Sequence, residues 1–177
     1  LGLIDRDRMP ALHPDLIGEY FVFTWLGKQR EETINRFLTA VWKIPRPTAV
    51  FFSRIFNDYG FLLDESAEKW EKLLLKDPPQ SVDSAILYSM FLMNITGNCN
   101  IQRPCEKCVQ QLNALTNLYP DVPGIMIAYA NSMANLIIRQ ETANAKGTAQ
   151  VLEEFASSHS NIPELIIALA RGLVNLG

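Results

Sequence analysis

Val109 to Leu136 reads VQQLNALTNLYPDVPGIMIAYANSMANL and Ala149 to Leu176 reads AQVLEEFASSHSNIPELIIALARGLVNL; the two align without a gap at an offset of 40 residues. Gln110 and Gln150, Leu112 and Leu152, Pro123 and Pro163, Ile127 and Ile167, Ala128 and Ala168, Ala130 and Ala170, Asn135 and Asn175, and Leu136 and Leu176 coincide. Each copy reads as a helix, a short turn holding Asp or Asn, a proline, and an apolar second helix. Proline suits the first helical turn, where its missing N–H leaves no bond unmade. A period of this length marks helix pairs that bury their apolar faces against neighbouring pairs, a stacked array.

Working outward, the repeat extends backwards in weaker form. Thr48 to Ser53 (TAVFFS) matches Ser84 to Ser89 (SAILYS) at an offset of 36, so second helices are expected to start near residues 47, 83, 123 and 163. A leading helix is expected from Asp15, a cap residue, to Leu26, with Glu19 in its first turn and Gly27 ending it. Its aromatic residues, Tyr20, Phe21, Phe23 and Trp25, are too many for a solvated helix. Glu31 to Lys43 places Ile34, Phe37, Leu38, Val41 and Trp42 on one face and should stop at Pro45. Pro47 should open the next helix, which Asn57, Asp58 and Gly60 close. A fourth helix, from Glu65 and Ser66, would bury Ala67, Trp70, Leu73 and Leu74 and end before Pro78. A fifth would run from Ser81 to Ile95, followed by a polar loop from Thr96 to Pro104. The remaining helices are expected at Cys105 to Leu118, Pro123 to Arg139, Ala145 to Ser157 and Pro163 to Leu176.

The expected fold is therefore all-α: an α-solenoid of four antiparallel helix pairs plus a leading helix, nine helices in total. No run alternates apolar and polar residues long enough for a strand. Two regions follow: residues 1–27, a lead segment and aromatic helix at the junction to an upstream domain, and residues 28–177, the array. The opening LGLIDRDR lacks a cap and a Met, which reads as a piece of a longer protein. Leu173, Val174 and Leu176 read as a face that a further helix would cover, since terminal units of an array should be polar outside.

The chain of 177 residues is 48% hydrophobic and 20% charged, an ordinary balance for a folded domain, with a net charge of −3 that argues against a surface built throughout for nucleic acid. Three cysteines cannot form a closed disulfide framework, and no signal-like start is present, which points to a reducing, cytoplasmic setting. The most apolar runs, Gly124 to Ile138 and Leu165 to Leu176, are broken by Asn131, Ser132, Asn135, Arg171 and Asn175, so no membrane span is expected.

Helix pairs of this period, with Ala128, Ala130, Ala168 and Ala170 at the crossings, resemble degenerate tetratricopeptide-type repeats in architecture; the strict Trp, Leu-Gly and Tyr pattern is absent. HEAT-like pairs have a similar period. Pro10 to Leu26 (PALHPDLIGEYFVFTWL), with Pro14, Asp15, Gly18 and Glu19, resembles the segment that follows the winged-helix module of bacterial STAND-type (NACHT-like) signalling ATPases. That resemblance implies the sensor or oligomerisation arm of a larger nucleotide switch. No G-x-x-x-x-G-K-[ST] loop occurs here, so its nucleotide site would lie upstream.

Few residues suggest chemistry. Cys99, Cys105 and Cys108 hold a C-x-x-C pair, but no fourth zinc ligand or nearby His accompanies it and no βαβ pattern supports a redox motif, so thiols at a loop and helix start are the simpler reading. Glu153, Glu154 and His159 form no acid-base constellation. Lys28, Arg30, Arg36, Lys43, Arg46 and Arg54 form a basic stretch interleaved with Phe37, Trp42, Phe51 and Phe52, a nucleic-acid footprint if the rings are free to stack and a solvated helix face if they are core. Asn94, Asn135 and Asn175 recur late in second helices, where they could bond a peptide backbone or satisfy the stack itself. Asn131 and Arg171, equivalent positions, are the stronger candidates for an open face, being costly to bury. The functional expectation is a non-catalytic, cofactor-free module for protein or peptide recognition, the sensor or scaffold part of a larger bacterial protein, with Asn131, Asn135, Arg171 and Asn175 as binding residues. A nucleic-acid-binding domain using residues 28–54 is the alternative.

Overall fold

The computed structural model describes residues 16–59, 71–99 and 102–176, and among these every regular element is a helix. The eight described are α1 (Leu16–Lys28), α2 (Glu31–Val41), α3 (Pro45–Tyr59), α4 (Val82–Asn98), α5 (Gln102–Leu118), α6 (Pro123–Ile137), α7 (Thr142–Ser158) and α8 (Pro163–Val174). Helices of 12 to 17 residues such as α4 to α8 are marginal alone, so their order comes from packing.

The sequence repeat returns as a repeat of backbone geometry. Val122 and Ile162, which precede Pro123 and Pro163, adopt almost the same extended conformation, φ −107° and ψ 96° against φ −114° and ψ 96°. Behind each proline the same bond forms, Ile125 N–H to Val122 C=O and Leu165 N–H to Ile162 C=O, both at 3.1 Å. Matched apolar positions are buried in both copies: Leu112 and Leu152, Ile125 and Leu165, Ala128 and Ala168. Removing these side chains from water drives the stacking, at about 25 cal/mol per Å².

Helices α3, α4, α6 and α8 pack one upon the next; α5 lies against α4 and α6, and α7 against α6 and α8. Small residues set the closest crossings. Thr96 and Ser132 share a hydrogen bond at 3.0 Å between buried hydroxyls, and a Cβ on Gly172 would stand 3.6 Å from Ala134 Cα. Three side chains each reach a carbonyl 40 residues back: Tyr119 donates to Pro79 O (2.9 Å), Arg139 to Cys99 O (2.6 Å) and Arg171 to Asn131 O (3.2 Å). The period of the sequence is thus also a period of tertiary hydrogen bonds. At the other end, Trp42 stacks on Phe52 and meets the rings of Tyr88 and Phe91 at 5.0 and 5.4 Å, which joins the end of α2 to α3 and α4.

Several expected boundaries move, each for a local reason. Gly27 does not end α1, which continues to Lys28; glycine inside a helix costs only about 1 kcal/mol, and Gln29 closes the helix by bonding Leu26 C=O through its N–H and Trp25 C=O through its side chain. Pro45 opens α3 instead of Pro47, since both prolines fit a first turn. The Thr48 hydroxyl ties this turn to α2 by reaching Val41 O and Ile44 O at 2.6 and 3.0 Å. The expected polar loop from Thr96 to Pro104 is mostly helix: α4 runs to Asn98 and α5 starts at Gln102, with Thr96, Cys99, Pro104 and Cys105 buried. Their polar groups can leave water because Met93 O, Ser132 and Arg139 supply partners.

Leu73 and Leu74 are buried as expected. The expected fourth helix does not reach Pro78: after Glu71 the chain runs through turns and bends over residues 72–77, while its earlier part, with Ala67 and Trp70, lies outside the described residues, as do the Asp15 cap, Gly60 and the side chains of Tyr20 and Phe23. No described helix is long and apolar enough to cross a membrane.

Candidate functional site

A row of polar side chains runs across the helices that stack on one another. Asn94 on α4 donates to Ser53 on α3 at 3.3 Å. Thr96, two residues on, pairs with Ser132 and accepts from Asn135 of α6 at 3.3 Å. The Asn135 side-chain oxygen in turn accepts from Arg171 of α8 at 3.0 Å, and the same guanidinium nitrogen reaches Asn131 O. The Asn131 and Asn175 amides donate back along their own helices, to Ile127 O and Arg171 O. Arg171 and Asn175 are exposed, and Asn131 and Asn135 are half-buried.

The structure therefore brings the four candidate residues together along the facing edges of α6 and α8, in two states. Asn135 is held inside the row between Thr96 and Arg171. The side-chain oxygens of Asn131 and Asn175 accept from no described residue, although each amide is anchored. An anchored amide with a spare carbonyl oxygen can accept one N–H from an extended backbone at little additional entropic cost.

One member of the row escaped the sequence reading. Arg139 donates to Cys99 O, to Asn135 O at 2.7 Å and to Gly97 O at 3.2 Å, so it closes the end of α4 against α6. Its signal was available: it stands four residues after Asn135, one helical turn along the same face. Thr96 and Ser132 carried no comparable signal, because small polar residues in apolar helices mark a crossing only once the partner helix is known.

The basic stretch has a different character. Lys28, Arg30, Arg36, Lys43, Arg46 and Arg54 are all exposed, and Arg36 pairs with Glu32 one turn away at 2.7 Å. Trp42 and Phe52 are buried, while Phe37 and Phe51 are half-buried against Trp25 and Phe52. The rings serve the core, so the stretch offers charge without a stacking platform. Among the described residues, clefts border it, and two of them are lined by its basic side chains. One of about 470 Å³ lies among Trp42, Lys43, Leu75, Pro78, Ser81 and Ser84, and one of about 410 Å³ among Glu32, Arg36, Lys43, Lys76 and Asp77. The charges lining the second are of both signs.

None of Cys99, Cys105 and Cys108 is in a disulfide and all three are fully buried; Cys99 follows the end of α4 and Cys105 lies near the start of α5, as the sequence suggested. Contact with Cys99 and burial push the Cys105 thiol well up, and burial does the same to Cys108, so both are held as neutral thiols. Tyr88 and Tyr129 are likewise raised by burial. None of these groups lines either cleft. His159 packs on Phe155 with ring centroids 4.7 Å apart and bonds Phe155 O, a packing role like that of Tyr119 in the previous copy. Glu153 and Glu154 are exposed, and Glu154 accepts from Gln150.

No protein-family model matches the chain, and no curated protein or solved structure matches it.

Proposed function

We propose that this chain is a non-catalytic, tetratricopeptide-like helical-repeat module, an α-solenoid that recognises a protein or peptide along the α6 and α8 edges of its polar row. The observation that supports this reading is the pairing of anchored amides and spare acceptors at Asn131 and Asn175 beside the exposed guanidinium of Arg171. Acceptors on two neighbouring helices suit the N–H groups of an extended segment that crosses both, and Arg171 between them suits an acidic side chain or carboxylate on it. The resemblance of Pro10 to Leu26 to STAND-type signalling ATPases supports reading such a module as the sensor or scaffold part of a larger bacterial protein.

The test is selection from a displayed library of random linear peptides, followed by affinity measurement on Arg171→Ala and Asn175→Ala. The expected result is enriched acidic peptides that lose tenfold or more in affinity, roughly 1.4 kcal/mol or more, with either substitution. Binders indifferent to both substitutions would remove the assignment of these residues, and a library with no binders would remove the reading itself.

A further inference from the structure

The repeat register makes a second surface readable. On α6, Met126, Ala130, Met133 and Ala134 are exposed by 3%, 0%, 2% and 0%, because α7 and α8 pack onto that helix. The positions 40 residues later on α8 are Ile166, Ala170, Leu173 and Val174. Ile166, Leu173 and Val174 are exposed by 53%, 44% and 80%, and Ile167 beside them by 67%. Helix α8 is therefore apolar on both sides: Leu165, Ala168 and Gly172 face inward and are buried, and this second stripe faces out. Among the described residues, no other helix exposes four large apolar side chains.

The stripe is also symmetric about its own centre. Ile166 and Val174 stand four residues on either side of Ala170, and Ile167 and Leu173 stand three on either side. An antiparallel helix crossing at Ala170 sets Ile166 against Val174 and Ile167 against Leu173 of the other helix, and does so twice under a two-fold axis. The small side chain at the axis lets the two backbones approach, as Gly172 does against Ala134 within the chain. No charged residue falls opposite a like charge, since the register sets Arg171 against Leu169 and Glu164 against Leu176. A self-complementary patch of this kind is what an isologous interface requires.

We propose that the outer face of α8 docks a second copy of this chain as a two-fold antiparallel dimer centred on Ala170, continuing the row α4, α6, α8 into its symmetry mate. Sedimentation velocity of the 177-residue chain over a range of concentrations should show a twofold mass that falls to the monomer on dilution. Ala170→Glu and Ala170→Lys should each be monomeric, because each puts two like charges together at the axis, and an equimolar mixture of the two should recover the twofold mass. Position 170 is exposed in the monomer, so helical content and melting temperature should stay near those of the parent; if either variant unfolds, Ile167→Ser and Val174→Ser provide the same readout at neutral charge. A monomer at every concentration overturns the proposal and leaves the face to a different polypeptide. A dimer untouched by these substitutions, or a charge-paired mixture that stays monomeric, overturns it equally.

Discussion

The Tyr88 hydroxyl, buried on α4, accepts the backbone N–H of Leu75 at 2.7 Å, although Leu75 lies in the irregular segment that precedes the helix. The same hydroxyl donates to Gln111 Oε1 on α5 at 2.6 Å, and Gln111 Nε2 returns to Leu75 O at 2.7 Å. Both backbone groups of Leu75 are thereby satisfied by two side chains from two helices. This ring, with Tyr119 on Pro79 O, fixes residues 75–79 against the stack.

Tyr88→Phe should therefore cost about 1–3 kcal/mol, because it strands a buried N–H and an amide oxygen at once. Urea melts should show a lower midpoint with an unchanged slope. Gln111→Leu breaks the same ring, so the double substitution should cost clearly less than the sum of the singles. Strict additivity would show that the three bonds act independently.

Gly172 separates two effects of a side chain at the α6 and α8 crossing. An added Cβ meets Ile137 Cδ1 at 2.9 Å, but that methyl is the mobile end of its side chain. Gly172→Ala also gains up to about 1 kcal/mol of helix propensity, so it should fall within about 1 kcal/mol of the parent. Gly172→Leu has no such escape against the Ala134 backbone and should lose several kcal/mol, with 1–3 kcal/mol the usual range for overpacking. Thermal melts of the two variants decide the matter, and equal losses would contradict the crossing.

The two arginines that reach 40 residues back should differ in weight. Arg139 serves Cys99 O, a buried carbonyl at the end of α4, and Arg139→Ala should destabilise by about 1–3 kcal/mol. Arg171 is exposed, and Arg171→Ala should change stability by no more than about 1 kcal/mol. Comparable losses in chemical denaturation would show that the outer bond is as well shielded as the inner one.

Alkali should weaken the fold through its thiols. Cys105 and Cys108 titrate higher folded than unfolded, so their contribution is complete below the ordinary thiol value of about 8.5 and is lost as pH rises beyond it. Each such group adds a slope of up to about 1.4 kcal/mol per pH unit, and Tyr88 and Tyr129 join above about pH 10. The Cys105→Ala, Cys108→Ala double variant should flatten the limb between pH 8.5 and 10. A thiol reagent should modify none of the three cysteines in the native protein and all three in denaturant. Stability that stays level through pH 10 would argue against protonated, buried thiols.

The gapless match between Val109–Leu136 and Ala149–Leu176 determined by itself that the chain is helical, where α6 and α8 begin, and that Ala128 and Ala168 stand at helix crossings, where both are buried. Those are properties of period and of proline chemistry, which act over a few residues and need no partner. Other features depended on which helix lies opposite. Identical Ala130 and Ala170 are buried and exposed respectively, because α8 covers one and no described helix covers the other. Cys99 and Cys105 read as thiols at a loop and a helix start, and their burial became legible only when Arg139, 40 residues after Cys99, supplied the partner for the Cys99 carbonyl. Asn131 and Asn135, four residues apart, differ because the Asn135 oxygen meets Arg171 while that of Asn131 meets no described donor. Burial and hydrogen-bond satisfaction belong to pairs of surfaces, so tertiary structure alone decided which polar side chains hold the stack and which keep an acceptor that no described residue fills.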